Sequence, residues 1–338
     1  MNGLYLRIVF IGIVLTCGYS CKPKNNPGGT RDYSQVLASP LFSGITDSIN
    51  RFPDKPELYL RRAVLLSQNN LYPIATPDFK KTWELTSDPG VALEYVSNLL
   101  LSNNLKDAIK LLKDCQKQFP SSTEFSRRLG EVYLQKGQPQ QALEQYNSIL
   151  SKDSFNFEAW YDKASVLMKQ HDTSQAIIAY ERSFYLMPIN YSGMALASIY
   201  VARKNPRALQ ICNTLLARDT SSVQTEPVFM KGMYYSDTKQ YDDAIRAFDT
   251  CILRDWKMTD AYIEKGIVLF ERNKYAEAMK VFNLAATVSN TDADAYYWMG
   301  RCYEKTGDKE QAASNYERAY SLDHSFSDAS EALRRLNR

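Results

Sequence analysis

Residues that could carry chemistry are few and widely spaced in this chain. Of its two histidines, His171 and His324, neither has a partner at a spacing that would hold a metal or activate a nucleophile. The paired carboxylates Asp242 and Asp243 stand where a helix is expected to begin, and the helix dipole favours acids there. There is no HExxH, GxSxG or glycine-rich phosphate-binding motif. The sequence therefore predicts no catalytic residue, no metal site and no cofactor.

The first twenty residues predict an export signal that ends at a lipid acceptor. Arg7 is their only charged residue, and an apolar run over residues 8–16 follows it. That run is too short to span a bilayer but suits the core of a secretory signal. With Cys21, the segment resembles a bacterial lipoprotein signal, which is cleaved before a cysteine that receives a lipid such as palmitate. We expect a signal over residues 1–20 and lipid attachment at Cys21, with Cys17 as the alternative acceptor. An ordinary cleaved signal or an uncleaved anchor is the other interpretation.

The segment after the signal predicts a tether. Residues 22–29 are rich in proline, asparagine and glycine, a composition that gives a flexible linker. We therefore expect residues 21–38 to hold a folded part away from a membrane surface. No aspartate follows Cys21 directly, so the lipoprotein resemblance implies the outer membrane of the cell envelope, with the protein facing the periplasm.

The remaining chain is predicted to be an array of helical hairpins. From Ala293 onward, apolar residues fall at positions 4, 7, 8 and 11 and again at positions 20, 24 and 27, and the arrangement recurs upstream every 34 residues. Each set lies on one face of a helix. This pattern resembles the tetratricopeptide repeat. The copies begin at Pro56, Pro89, Thr123, Phe157, Tyr191, Thr225, Thr259 and Ala293.

The resemblance implies an all-α fold, a right-handed α-solenoid of stacked helix-turn-helix hairpins with about eight repeats over residues 56–324. A single repeat cannot bury its apolar face alone, so neighbouring repeats must stack. Residues 39–55 match the second helix of a repeat and are expected to cap the first one. Residues 325–338 are expected to form a C-terminal capping helix. The copy from Tyr191 departs most, because Ala208 arrives about two residues early, yet we still expect a hairpin there.

Four cysteines lie outside the signal, and we expect them to be packed, unpaired thiols. Cys115 and Cys251 occupy the same repeat position four repeats apart, which is too distant for a disulfide. Cys302 lies in the last repeat. Cys212 and Cys251 stand in adjacent repeats and form the one pair that merits a test.

A binding groove is the remaining candidate site. In this repeat family the first helix of each repeat lines the concave surface, and here the corresponding positions are largely apolar. Exposed apolar surface of this kind suits an amphipathic helix or an extended peptide. Alternatively, several of these residues pack against the next repeat or the ends of the chain. The predicted groove residues are Leu93, Leu134, Tyr161, Met168, Phe229, Met233, Ile263, Phe270, Tyr297 and Arg301.

Charge and motif exclude some classes of partner. The chain has 41 basic and 38 acidic residues, and this balance gives no case for nucleic acid. Some family members bind acidic C-terminal peptides through a lysine and an asparagine at positions 5 and 9, but Arg127 and Glu131 stand there instead, and Tyr161 and Ser165 in the next copy.

The combined prediction is a non-enzymatic scaffold or adaptor, lipid-anchored in the envelope, that binds a peptide or helix of an envelope protein. The alternative is a lipoprotein that binds glycans or peptides for uptake.

Overall fold

The computed structural model describes residues 33–221 and 223–336, and every regular element in these ranges is a helix. Cys17, Cys21 and the predicted signal lie outside the described residues. The chain divides into two compact units, Met1–Asp172 and Thr173–Arg338, which we call unit 1 and unit 2. No helix among the described residues is long and apolar enough to cross a membrane.

Unit 1 contains nine helices in its described part, and each helix from α2 to α8 packs against the next one in the chain. They are α1 (Ser34–Leu37), α2 (Ser43–Arg51), α3 (Pro56–Gln68), α4 (Tyr72–Thr86), α5 (Pro89–Leu101), α6 (Leu105–Gln118), α7 (Glu124–Gln135), α8 (Pro139–Lys152) and α9 (Phe157–Lys169).

Unit 2 continues the same alternation through its described residues. Its helices are α10 (Thr173–Leu186), α11 (Asn190–Ala202), α12 (Arg207–Arg218), α13 (Glu226–Asp237), α14 (Tyr241–Arg254), α15 (Thr259–Glu271), α16 (Tyr275–Val288), α17 (Ala293–Thr306), α18 (Lys309–Leu322) and α19 (Ser327–Leu336). The short turn before α12 still closes a hairpin, because α11 packs on α12. Helix α19 packs on α18 and buries Ala329 and Ala332, and Phe326, directly before the helix, is also buried.

The turn inside each hairpin depends on one residue in the left-handed region. This residue follows the first helix of every repeat, with φ between 52° and 92°. Glycine adopts that conformation without strain, and asparagine is among the other residues that tolerate it. His171 is one of these residues, so its position is explained by the turn. The eight are Asn70, Asn103, Gly137, His171, Lys204, Lys239, Asn273 and Gly307.

Within a repeat, the two helices approach closely where a small residue meets an aromatic ring. A Cβ atom built on Gly300 would lie 2.7 Å from the Tyr316 ring, and one on Gly232 would lie 2.6 Å from the Phe248 ring. The sequence predicts that the aromatic residue at position 24 fills the gap between neighbouring repeats. The structure shows that it also covers the small residue at position 8 of its own repeat.

An ion pair buried in the first hairpin connects three helices. The Arg62 guanidinium on α3 donates to both carboxylate oxygens of Asp78 on α4, at 2.6 and 2.7 Å, and to Thr46 Oγ1 on α2 at 3.1 Å. Only 8% of Arg62 and 5% of Asp78 is exposed. This network fixes α2 against the first full repeat.

The predicted all-α fold of stacked helical hairpins is therefore confirmed in the described part of the chain.

Candidate functional site

The first helices of the repeats form the surface on which a groove was predicted. In unit 2, α11 contacts α13, α13 contacts α15, and α15 contacts α17. In unit 1, Ser67 on α3 donates to Asn98 on α5, and Arg127 on α7 pairs with α9. Each unit thus presents a row of neighbouring first helices.

The predicted groove residues differ in how much surface they expose. Ile263 and Phe270 are buried at 7% and 8% exposure, and they offer little surface to a partner. The Phe270 ring lies against Tyr275 and Trp298, while Tyr297 contacts Phe326 at a centroid distance of 4.9 Å. The other eight are half-buried: Leu93, Leu134, Tyr161, Met168, Phe229, Met233, Tyr297 and Arg301.

Arg301 is held by aromatic rings of its own unit. Its guanidinium carbon lies 5.2 Å from the Trp298 ring centroid, 5.3 Å from that of Phe270 and 5.8 Å from that of Tyr297. It also donates to Tyr297 Oη at 3.1 Å. Cation–π contacts stabilise a charge in such a setting, so this cation is already engaged within the protein.

In unit 1, a cation bridges two neighbouring first helices. Arg127 Nε on α7 lies 2.7 Å from Asp162 Oδ2 on α9, and Arg127 Nη1 lies 3.2 Å from Glu158 Oε2. Burial raises the pKa of the Asp162 carboxyl, and the hydrogen bond from Arg127 opposes that rise. This pair neutralises the acidic side chains of α9.

In unit 2, the first-helix surface carries carboxylates in place of such a pair. Burial raises the pKa of Glu264 on α15 to about 7, and the negative charges of Asp237, Asp260, Asp294 and Glu271 add to the rise. Burial also raises the pKa of Asp260. Like charges disfavour ionisation of a neighbour. Above neutral pH Glu264 is nevertheless ionised, and the region then carries an excess of negative charge. The apolar pattern of the sequence did not point to these residues, although comparing charges at equal repeat positions would have found them.

The stability of unit 2 is expected to depend on the protonation of Glu264. Between pH 4.5, the ordinary pKa, and about 7, the folded state binds more protons than the unfolded state. The free energy of unfolding therefore falls as pH rises through this window. Replacing Glu264 by glutamine should raise that free energy by on the order of 2 kcal/mol more at pH 8 than at pH 5.5, because at pH 5.5 only part of the penalty for ionising Glu264 has developed. Urea unfolding at the two pH values measures the difference.

The exposed Glu317 on α18 provides the matched control, because Glu317→Gln should have a small effect at both pH values. Equal gains at pH 5.5 and pH 8 for Glu264→Gln would contradict the assignment.

The residues with catalytic potential do not converge in the described chain. His324 stacks edge-on against Tyr320 at 5.2 Å, far in sequence from His171. Within residues 33–221 and 223–336, no three histidine, cysteine, aspartate or glutamate side chains are grouped to hold a metal. A cavity of about 370 Å³ adjoins α17 and α19, but Glu304 in its wall already bonds Arg335 and Tyr316.

The four cysteines of the described chain are buried free thiols. Burial raises the pKa of Cys115 to about 11 and that of Cys212, Cys251 and Cys302 to about 12. The thiolate is the reactive form, so these side chains act as packing groups rather than nucleophiles.

Comparison with family models identifies the repeats. Models described as tetratricopeptide repeat or TPR repeat match residues 99–162, 157–190, 226–255, 266–307 and 293–326. These matches extend across both units.

Comparison with individual proteins gives distant similarities. The DnaJ homolog subfamily C member 7 homolog of Dictyostelium discoideum is 24% identical over 55% of this chain and 37% of its own length. A probable UDP-N-acetylglucosamine–peptide N-acetylglucosaminyltransferase SPINDLY of Hordeum vulgare is 32% identical over 28% of this chain and 10% of the enzyme. The chain thus spans well under half of either relative.

Among solved structures, a tetratricopeptide repeat protein from Parabacteroides merdae is similar in fold. It has a TM-score of 0.55 and 21% identity, and the match covers 73% of this chain and 98% of that one.

Proposed function

This chain is a protein of tetratricopeptide repeats, and on that premise we propose that it is a non-enzymatic scaffold or adaptor that binds a partner protein on the first helices of its repeats. The fold suggests a protein–protein interaction scaffold and is typically non-catalytic. The observation that carries the proposal is the row of half-buried apolar and charged side chains on neighbouring first helices. Such a surface suits a peptide or a helix.

The proposal includes attachment to a membrane. The signal-like segment before Cys21 supports lipid attachment there, with Cys17 as the other acceptor. The partner would then be a protein of the cell envelope, and the scaffold would stand at the outer membrane facing the periplasm. Glycan or peptide uptake is less favoured, because at least eight of the 23 tyrosines are buried in the helical packing and do not line a groove.

Lipid attachment is tested by labelling with a radioactive or alkyne-bearing fatty acid in a bacterial host. The wild type should be labelled, and Cys21→Ser should lose the label while Cys17→Ser keeps it. Continued labelling of Cys21→Ser with loss in Cys17→Ser would move the acceptor to Cys17. An unlabelled wild type would reject the lipid anchor.

Partner binding is tested by photo-cross-linking in envelope preparations. A benzophenone amino acid replaces Tyr161, half-buried on the first helix α9, because an aromatic substitute preserves the volume of the side chain. The control places the same group at Tyr185, which is 81% exposed on the second helix α10. We expect discrete cross-linked proteins from position 161 and not from position 185. Equal cross-linking at both positions, or none at either, would contradict the groove.

A further inference from the structure

Two carboxylates of α15 stand at the same repeat positions as the two acids that bind Arg127 in unit 1. Asp260 and Glu264 follow Glu158 and Asp162 by three repeats of 34 residues. In unit 1, Arg127 of the preceding first helix lies 3.2 Å from Glu158 and 2.7 Å from Asp162. The repeat geometry can therefore hold one guanidinium between these two acidic positions.

In unit 2, the residue that corresponds to Arg127 is Phe229. Its ring packs on Phe248 at a centroid distance of 5.5 Å and supplies no positive charge. Within the described part of the chain, neither Asp260 nor Glu264 forms an ion pair or a side-chain hydrogen bond. The two acids of α15 thus lack the counterion that their equivalents possess.

The nearby cations of unit 2 are committed elsewhere. Lys265 pairs with Asp249 on α14, and Lys231 donates to Asn213 on α12. The Arg301 guanidinium lies over three aromatic rings. By contrast, the groups that face Glu264 from α13, α15 and α17 are the carboxylates Asp237, Asp260, Glu271 and Asp294.

We propose that Asp260 and Glu264 bind an arginine side chain of the partner protein, in the place that Arg127 takes in unit 1. The inference rests on the proposed scaffold function and specifies its partner as a basic segment with apolar neighbours. The apolar residues beside that arginine in the partner pack against the half-buried Phe229 and Met233 of α13 and Ile267 of α15. Arginine fits better than lysine, because its planar group can donate to two carboxylates at once.

Charge complementarity gives the binding a defined pH dependence. A bound cation favours the ionised form of Glu264, whose pKa is about 7 when no cation is present. Binding therefore strengthens from pH 6 to pH 8 and releases protons. The charged groups that act on Glu264 are the carboxylates Asp237, Asp260, Asp294 and Glu271, and Lys204 acts on Asp237.

The test uses N-acetyl-arginine amide as the probe and the full chain with carbon-13 labelled carboxylates. NMR titration should show saturable shifts of the Glu264 and Asp260 carboxyl signals. The citrulline analogue, which has the same shape without charge, should produce none. Glu264→Gln and Asp260→Asn should each weaken binding about tenfold, the usual effect of losing a charged hydrogen bond. Absence of saturable shifts, or unchanged affinity in both variants, would overturn the proposal.

A second variant fills the site from within. Phe229→Arg recreates the unit 1 arrangement, so it should abolish probe binding and lower the pKa of Glu264. Leu253→Arg, at a position 87% exposed on α14, controls for the added charge and should change neither quantity. Retained binding in a folded Phe229→Arg protein would also overturn the proposal.

The probe requires no partner protein, so this experiment separates the two proposals. Failure of the titration with retained cross-linking at position 161 rejects the arginine site alone. Successful titration without cross-linking rejects the scaffold function and leaves the site.

Discussion

Replacing Phe282 by alanine is expected to lower the free energy of unfolding of unit 2 by about 3–5 kcal/mol. The Phe282 side chain is fully buried between α15 and α17, where it covers Gly266 and stacks on Trp298 at a centroid distance of 6.0 Å. Its removal leaves a cavity that close-packed neighbours fill only in part. Urea unfolding followed by circular dichroism measures the loss, and hydrogen exchange should show it in α15, α16 and α17 first.

The control lies on the same helix. Leu284 is 54% exposed, so Leu284→Ala should change stability by about 0.5 kcal/mol or less.

A double-mutant cycle with Gly266 tests whether the ring and the glycine form one packing unit. Gly266→Ala alone should destabilise, because its methyl group would clash with the Phe282 ring. In the Phe282→Ala background, the same methyl group enters the vacated space and should cost less. Additive effects in the cycle would show that the two positions do not share that space.

Breaking the buried Arg62–Asp78 pair is expected to have a comparable effect on unit 1. Asp78→Ala leaves the Arg62 guanidinium buried without a counterion, and such changes cost about 3–5 kcal/mol. Arg62→Met combined with Asp78→Leu removes both charges and should be far less destabilising. Thermal and urea unfolding of the two variants and the wild type gives the comparison.

The same helix again supplies a control. Lys80 and Glu84 pair on α4 at 3.7 Å with both side chains more than half exposed, so Glu84→Ala should change stability by about 1 kcal/mol or less. A double variant as unstable as Asp78→Ala would indicate that the hydrogen bond from Arg62 to Thr46, rather than charge neutralisation, dominates at this site.

The helical hairpins were predictable from the sequence because their apolar spacing repeats. Position 8 must be small and position 24 must be large, since Gly300 and Tyr316 pack directly against each other. Because this small–large pair recurs every 34 residues on facing sides of two helices, the sequence favours a stack of helical hairpins over other folds. The early Ala208 did not prevent a hairpin, because the turn residue Lys204 adopts the same left-handed backbone as its counterparts.

The exposure of the predicted groove residues was harder to predict, because a repeat position does not determine exposure. Phe229 and Ile263 share position 5, yet Phe229 is half-buried and Ile263 is buried. Exposure depends on the side chains that neighbouring helices supply, and these differ from one pair of repeats to the next. The Arg127–Asp162 pair is of the same kind. Position-by-position interpretation considers each repeat alone and therefore overlooks it.

In several hairpins, a glycine of the first helix packs against an aromatic ring of the second helix of the same hairpin. The atoms nearest to a Cβ built on Gly130 belong to the Tyr146 ring, and those nearest to one on Gly232 belong to the Phe248 ring of the same hairpin. Duplicating or deleting one of these hairpins would therefore leave its own glycine–ring contact intact, and the stacking between the newly adjacent hairpins would need adjustment. Genetic recombination between copies can thus lengthen or shorten the protein in whole repeats.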